Sequence, residues 1–120
     1  SPKAGIVPAV TGDRDGMQYR RFGKTELSLS VFSLGTMRSL ASASVFDDTV
    51  VAAIDRGINH LETARGYGQS ERLLGQALQR LPAATRSRLV ITTKIPPTPD
   101  AATVAGALDR LSRDSLPQYP

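Results

Sequence analysis

The stretch from Asn59 to Gly75, NHLETARGYGQSERLLG, most constrains what this chain can fold into. An apolar lead-in ends at the carboxylate of Glu62. A tyrosine flanked by Gly66 and Gly68 follows five residues later, and Ser70 and Glu71 then open a run with apolar residues at helical spacing. That order is a strand, a loop and a helix start. In parallel α/β folds the groups that do chemistry sit on loops following the carboxyl ends of strands, where Glu62 and Tyr67 fall. Lys94 closes the next strand-like run, Leu89 to Lys94. Glu62, Tyr67 and Lys94 are therefore expected to converge at one rim.

The flanking sequence repeats the same alternation. Residues 1–16 contain two prolines and three glycines and carry no strand or helix period, so they read as an extended arm or linker. Gln18 to Phe22 and Leu27 to Ser30, separated by Gly23 to Glu26, read as a hairpin. Val31 to Leu34 reads as a short buried strand ending at Gly35, Thr36 and Met37. Ser44 and Asp47 have the spacing of a capping box, and Phe46, Val50, Ala53 and Ile54 recur at helical spacing before Gly57. Ile58 to Glu62 is the second strand. Leu73, Leu74, Ala77, Leu78 and Leu81 form the stripe of a second helix, which Pro82 limits. Leu89 to Lys94, nearly all apolar or β-branched, suits a parallel strand buried on both faces. After the stiff segment 96–99, Asp100 is placed to cap a third helix with Val104, Ala107, Leu108 and Leu111 on one side. Two prolines in 114–120 oppose a central strand there.

Composition removes several classes of function. The chain has no cysteine and a single histidine, His60, so a thiolate nucleophile, a disulfide framework and a histidine-rich metal site are excluded within it. Lys and Arg outnumber Asp and Glu by 15 to 11, a net charge of +4. The charges are scattered, with Arg20 and Arg21 the adjacent basic pair, so they read as solvated surface and no nucleic-acid partner is expected. No apolar run approaches the roughly 20 residues that span a membrane, and residues 1–16 lack the apolar core of a signal peptide. A soluble, cytoplasmic protein with no membrane partner is expected.

At the quoted blocks a family resemblance becomes specific. From Met17 to about Ser112 the chain resembles the amino-terminal part of an aldo-keto reductase. The resemblance rests on 17–23 (MQYRRFG), 33–37 (SLGTM), 57–64 (GINHLETA), 66–68 (GYG), 70–75 (SERLLG) and Thr93 with Lys94, in the family's order. It implies an α/β fold: an amino-terminal hairpin plus the first three β/α units of a (β/α)8 TIM-type barrel, which when whole needs about 250 residues. The expected organisation is an arm at 1–16 and a partial barrel domain at 17–120. The hairpin would plug the bottom of the barrel, opposite the active site. Three units of eight leave open sheet edges that invite another chain.

The resemblance also assigns residues. Tyr67 matches the family's proton donor, Lys94 its lysine, and Glu62 the position where most members have aspartate, so the longer side chain must fold back or reach differently to meet Lys94. Gly35, Thr36 and Met37 lie where the first strand approaches the nicotinamide of NADPH or NADH. An isolated phenol titrates near 10, and a neighbouring ammonium brings such a donor closer to working pH. Taken alone, Tyr67 is a loop tyrosine beside glycines and Lys94 a strand-end lysine reaching solvent; the surrounding blocks favour the site. His60 shares the face of Glu62 by strand alternation and is expected to be a packed, hydrogen-bonded histidine. Arg65 reads equally as a solvated loop charge or a substrate contact.

Two functions follow. The first is hydride transfer from NAD(P)H to a small carbonyl substrate, with this chain an amino-terminal fragment inactive alone for want of the later strands, the family's histidine and most of the cofactor site. The alternative is a non-catalytic truncated barrel that self-associates as a homo-oligomer or docks on a protein partner.

Overall fold

The computed structural model describes residues 12–14, 16–38, 42–97, 100–115 and Tyr119. Its first unit is an antiparallel sheet in the order β1 (Gly12–Arg14), β2 (Met17–Arg21) and β3 (Ser28–Ser30). The β2–β3 hairpin is the expected one. Its turn closes through Phe22 N–H to the Leu27 carbonyl at 2.9 Å and the Thr25 hydroxyl to the Phe22 carbonyl at 2.6 Å. Within the stretch 1–16 that reads as an extended arm or linker, residues 12–14 form a strand whose backbone groups find partners on the edge of β2. Gly16 forms the turn between β1 and β2 with φ +80°, and residues 1–11 and 15 of that arm lie outside the described residues.

The second unit is a parallel sheet in the order β4 (Leu34–Gly35), β5 (His60–Glu62) and β6 (Val90–Thr92), with Leu34 opposite Leu61 and Leu61 opposite Ile91. Helices α1 (Ala43–Asp55) and α2 (Ser70–Gln79) follow β4 and β5, and α4 (Ala101–Arg110) follows β6. This is the β/α alternation expected for the opening units of a barrel. Among the described residues, β4 and β6 each have a single neighbour, so both edges of the sheet are open.

Several boundaries differ from the sequence reading, each for a physical reason. Val31 and Phe32 are exposed, so the expected buried strand 31–34 shortens to Leu34–Gly35. Helix α1 is capped by Ser42, whose hydroxyl accepts from Val45 N–H, rather than by Ser44. Ser44 lies inside the first turn and its hydroxyl meets that of Ser42. Pro82 does limit α2, but it also starts a four-residue helix, α3 (Ala83–Arg86), that no apolar period announced. Asp100 caps α4 as expected, accepting from Thr103 N–H at 2.8 Å. Of the residues expected on its inner side, Ala107 is buried whereas Leu108 is exposed. Beyond α4 the chain makes a π-helical turn, Leu111–Ser115.

The core lies between the parallel sheet and helices α1 and α2. Phe46 and Val50 of α1, Leu73, Leu74, Ala77 and Leu78 of α2, and Leu61 and Leu89 form one buried cluster. The hairpin is held at the opposite end of β5. Tyr19 OH donates to the Gly57 carbonyl at 2.6 Å, and Asn59 bonds the Ser28 carbonyl, Ser30 N–H and the Ser30 hydroxyl. Gly57 is required at that contact: its φ is +96°, and a Cβ there would lie 2.8 Å from the Met17 Cβ. No helix among the described residues is long and apolar enough to cross a membrane.

Leu74 has no solvent exposure, so Leu74→Ala is expected to lower stability by about 2–5 kcal/mol. Leu108→Ala, on the same kind of side chain at an exposed position, should cost no more than about 0.5 kcal/mol. Urea unfolding followed by circular dichroism measures both, and equal losses would show that the core is misplaced.

Candidate active site

The site begins with the parity of β5. Leu61 points into the helix-covered core, so its neighbours His60 and Glu62 take the other face. Beyond the strand ends the backbone pairing continues, with Thr63 N–H to the Thr92 carbonyl at 2.8 Å and Arg65 N–H to the Lys94 carbonyl at 3.3 Å. These bonds bring the two loop exits side by side. The chain then reverses: Tyr67 N–H bonds the Ala64 carbonyl, Gly68 takes φ +55°, and Ser70 N–H bonds the Tyr67 carbonyl at 2.9 Å. Tyr67 is thereby carried back over the end of the sheet.

The three expected groups meet there. Lys94 Nζ donates to Glu62 Oε1 at 2.5 Å and stands 4.9 Å from the centroid of the Tyr67 ring, within cation–π range. The extra methylene of Glu62 relative to aspartate does not prevent the contact. The Lys94 hydrogen bond, reinforced by its charge, holds the Glu62 carboxyl below the ordinary value against an opposing burial effect; His60 adds a smaller lowering. The Lys94 ammonium is correspondingly raised, first by the Glu62 hydrogen bond and further by Tyr67, with burial opposing. The side chains are 39% and 42% exposed, so solvent screens the pair, which contributes about 0.2–1 kcal/mol.

The neighbours have defined roles. His60 is the packed histidine expected, with Nδ1 2.8 Å from the Ser33 hydroxyl and Nε2 2.7 Å from the Thr92 hydroxyl. Gly35 has open space where a side chain would stand, and Met37 is exposed. Thr36 is turned inward at 3% exposure, with its amide and hydroxyl both donating to the Glu62 carbonyl at 3.0 Å. Arg65 pairs with Asp114 at 3.2 Å and also reaches the Arg110 carbonyl, tying the Tyr67 loop to the end of α4. Among the described residues no cluster of three His, Asp or Glu could hold a metal ion.

Sequence reasoning assigned no part to Glu71. Its carboxylate, in a residue only 8% exposed, accepts from the hydroxyls of Thr93 at 2.8 Å, Ser115 at 2.8 Å and Tyr119 at 2.6 Å. Burial, and then Glu71, push the Tyr119 phenol far up. The available signal was spacing: Glu71, Leu74 and Leu78 recur at i, i+3 and i+7, which places a carboxylate on the apolar side of α2.

Comparison with known proteins gives this geometry a family. Residues 32–116 match the model of the aldo/keto reductase family. The chain belongs to that family. Relatives among aldo/keto reductases include 6-dehydroglucose reductase of Novosphingobium aromaticivorans, 34% identical over 95 residues that cover 68% of this chain and 31% of the relative. L-glyceraldehyde 3-phosphate reductase of Escherichia coli K12 is 34% identical over 85 residues, 65% of this chain and 25% of that protein. The chain thus spans between a quarter and a third of the length of these curated relatives. Its fold matches a Pseudomonas aeruginosa structure assigned to the aldo-keto reductases (TM-score 0.63, 29% identity, 79% of this chain and 42% of that one). It also matches the holo form of a Bacillus halodurans aldo-keto reductase (TM-score 0.70, 22% identity, 86% and 36%), a likeness of fold alone. The family and the α/β barrel-type fold expected from the sequence are both upheld.

The two titrations of the ion pair set a pH window. Glu62 stabilises the fold above its ordinary value of 4.5 and loses that contribution as pH falls through its lowered folded value. Lys94 contributes fully below 10.5 and loses its contribution as pH rises through its raised folded value. Wild type should therefore exceed Lys94→Met in stability by up to about 1 kcal/mol on a plateau between those limits, closing at both ends. Urea midpoints across pH test this, and a difference that does not vary with pH would remove the ion pair as its source.

Proposed function

We propose that Glu62, Tyr67 and Lys94 form the proton-delivery site of an NAD(P)H-dependent carbonyl reductase, to which this chain contributes the amino-terminal hairpin and the first three β/α units. The observation that carries the reading is the meeting of Lys94 with both Glu62 and Tyr67. Membership of a family of nicotinamide-dependent reductases supports it.

Reduction of a carbonyl adds a hydride at carbon and a proton at oxygen. A reduced nicotinamide, when bound, supplies the hydride. Gly35 and Met37 fit its ring: the first offers bare backbone with open space above it, and the second an exposed thioether for apolar contact. Tyr67 gives its phenolic proton to the carbonyl oxygen as negative charge develops there. The phenolate that remains lies beside the Lys94 ammonium, whose positive charge stabilises the negative charge left on the oxygen. Glu62 keeps that ammonium charged and fixed in direction. Small carbonyl compounds are the substrate class; 6-dehydroglucose and L-glyceraldehyde 3-phosphate appear in the names of the relatives. NADPH or NADH would serve the same chemistry.

The test is NADPH and NADH binding by nucleotide fluorescence, followed by carbonyl-dependent loss of NAD(P)H absorbance. Tyr67→Phe is expected to slow turnover by about 10²–10⁴-fold while leaving nucleotide affinity unchanged. Turnover that survives this substitution would remove Tyr67 as donor. Absence of nucleotide binding by the chain would assign any catalysis to a longer protein, leaving the chain either its amino-terminal part or a non-catalytic module that self-associates or docks through its open strand edges.

A further inference from the structure

Beneath the three polar side chains runs a buried chain of hydrogen bonds that the reaction itself does not use. The Tyr67 carbonyl accepts from Ser70 N–H at 2.9 Å. The Ser70 hydroxyl donates to the Thr36 carbonyl at 2.5 Å. Thr36 in turn donates twice to the Glu62 carbonyl, from its amide and from its hydroxyl, each at 3.0 Å. The path thus begins on the backbone of one site residue and ends on that of another, crossing the ends of β4, β5 and α2 on the way.

Two details separate this path from ordinary packing. A parallel ladder needs only the Thr36 amide at the Glu62 carbonyl, so the Thr36 hydroxyl is a second donor to an oxygen already satisfied. Helix α2, for its part, has no side-chain cap at Gln69. Serine is a favoured residue at helix starts because its hydroxyl can serve the free amides there, yet Ser70 carries that hydroxyl across the fold to β4. Ser70 has no solvent exposure and Thr36 has 3%, so neither bond competes with water.

Resting on the reductase reading above, we propose that Thr36 and Ser70 are positioning residues, which lock the backbone of Tyr67 to that of Glu62 and so set where the Lys94 ammonium meets the phenol. Neither side chain touches the reacting atoms. Their effect passes through the carbonyls of Tyr67 and Glu62. Loss of the Ser70 hydroxyl frees the α2 start and the Tyr67 loop from β4. Loss of the Thr36 hydroxyl leaves the Glu62 carbonyl held by one donor, and the carboxylate above it free to leave Lys94.

The chain contains three lysines, Lys3, Lys24 and Lys94, so carbon-13 labelling at lysine Cε yields few enough signals to follow the Lys94 titration directly, with Lys94→Met assigning it. In Thr36→Val and Ser70→Ala the Lys94 midpoint is expected to move down toward the ordinary lysine value of about 10.4, and in Thr36→Ser to stay at the wild-type value. A loss of stability alone would not move it. Should either removal fail to fold, Ser70→Cys, with a similar shape and a weaker donor, carries the measurement. Folded variants that keep the wild-type midpoint overturn the proposal. Glu62→Gln separates the two levels of the argument: if it lowers the midpoint while Thr36 and Ser70 variants do not, only the positioning role fails. If Glu62→Gln leaves the midpoint in place, the ion pair behind the reductase reading fails with it.

Discussion

Burial of Leu61 between the sheet and helices α1 and α2 decides the orientation of everything near the site. Successive residues of a strand face opposite sides, so once Leu61 is in the core, His60 and Glu62 must face away from the helices. Leu74 and Leu78 make that choice costly to reverse, because a one-residue slip of β5 would place a histidine and a carboxylate against them. The position of the Glu62 carboxylate is therefore a consequence of apolar packing on the far side of its own strand. Lys94 reaches it because β6 runs parallel to β5 in register, Glu62 opposite Thr92.

The polar groups divide into an exposed set and a buried one, and the energetics differ accordingly. Glu62 and Lys94 remain partly in water, which keeps both charged and makes their bond weak as a stabiliser but available to chemistry. Glu71 is removed from water and receives three hydroxyl donors instead. A carboxylate so buried needs those bonds, and its place in the first turn of α2 adds the favourable field of a helix start. The three donors come from the exit of β6, from the turn after α4 and from Tyr119, so one side chain gathers distant parts of the chain beside Lys94.

Much of this was legible in the sequence, and the reasons for success and failure are physical. Long periodic signals, such as Leu73, Leu74, Ala77 and Leu78 in α2, reported a helix because many residues share one cause. The convergence of Glu62, Tyr67 and Lys94 followed from strand order and from the rule that loops after parallel strands lie together. Short elements were less legible. Val31 and Phe32 are apolar yet exposed, so apolar character alone overstated the strand before Leu34. Ser42 and Ser44 are both good caps, and only the backbone geometry at Ser42 distinguishes them. The partners of Glu71 and Arg65 are 22 to 49 residues away, a distance at which local pattern carries no information.

The two ends of β5 carry different burdens. At the amino end, Gly57 and Asn59 spend a positive-φ backbone and a side-chain amide on holding the hairpin. At the carboxyl end, Glu62 and the loop to Tyr67 leave their ionisable groups open to an incoming molecule while their backbones are tied down. Barrel-type folds divide labour in this way, with stability on one face and chemistry on the other, and the proposed site lies on the face that the division reserves for chemistry. It also bears on the length of the Glu62 side chain, at a position where the resemblance implies aspartate. The backbone carbonyl of residue 62 is held by Thr36 whatever side chain follows, so a longer carboxylate starts from the same place and needs only a different rotamer to reach Lys94. A fold that fixes the backbone beneath a cluster of ionisable groups can change the length of one side chain without moving the others.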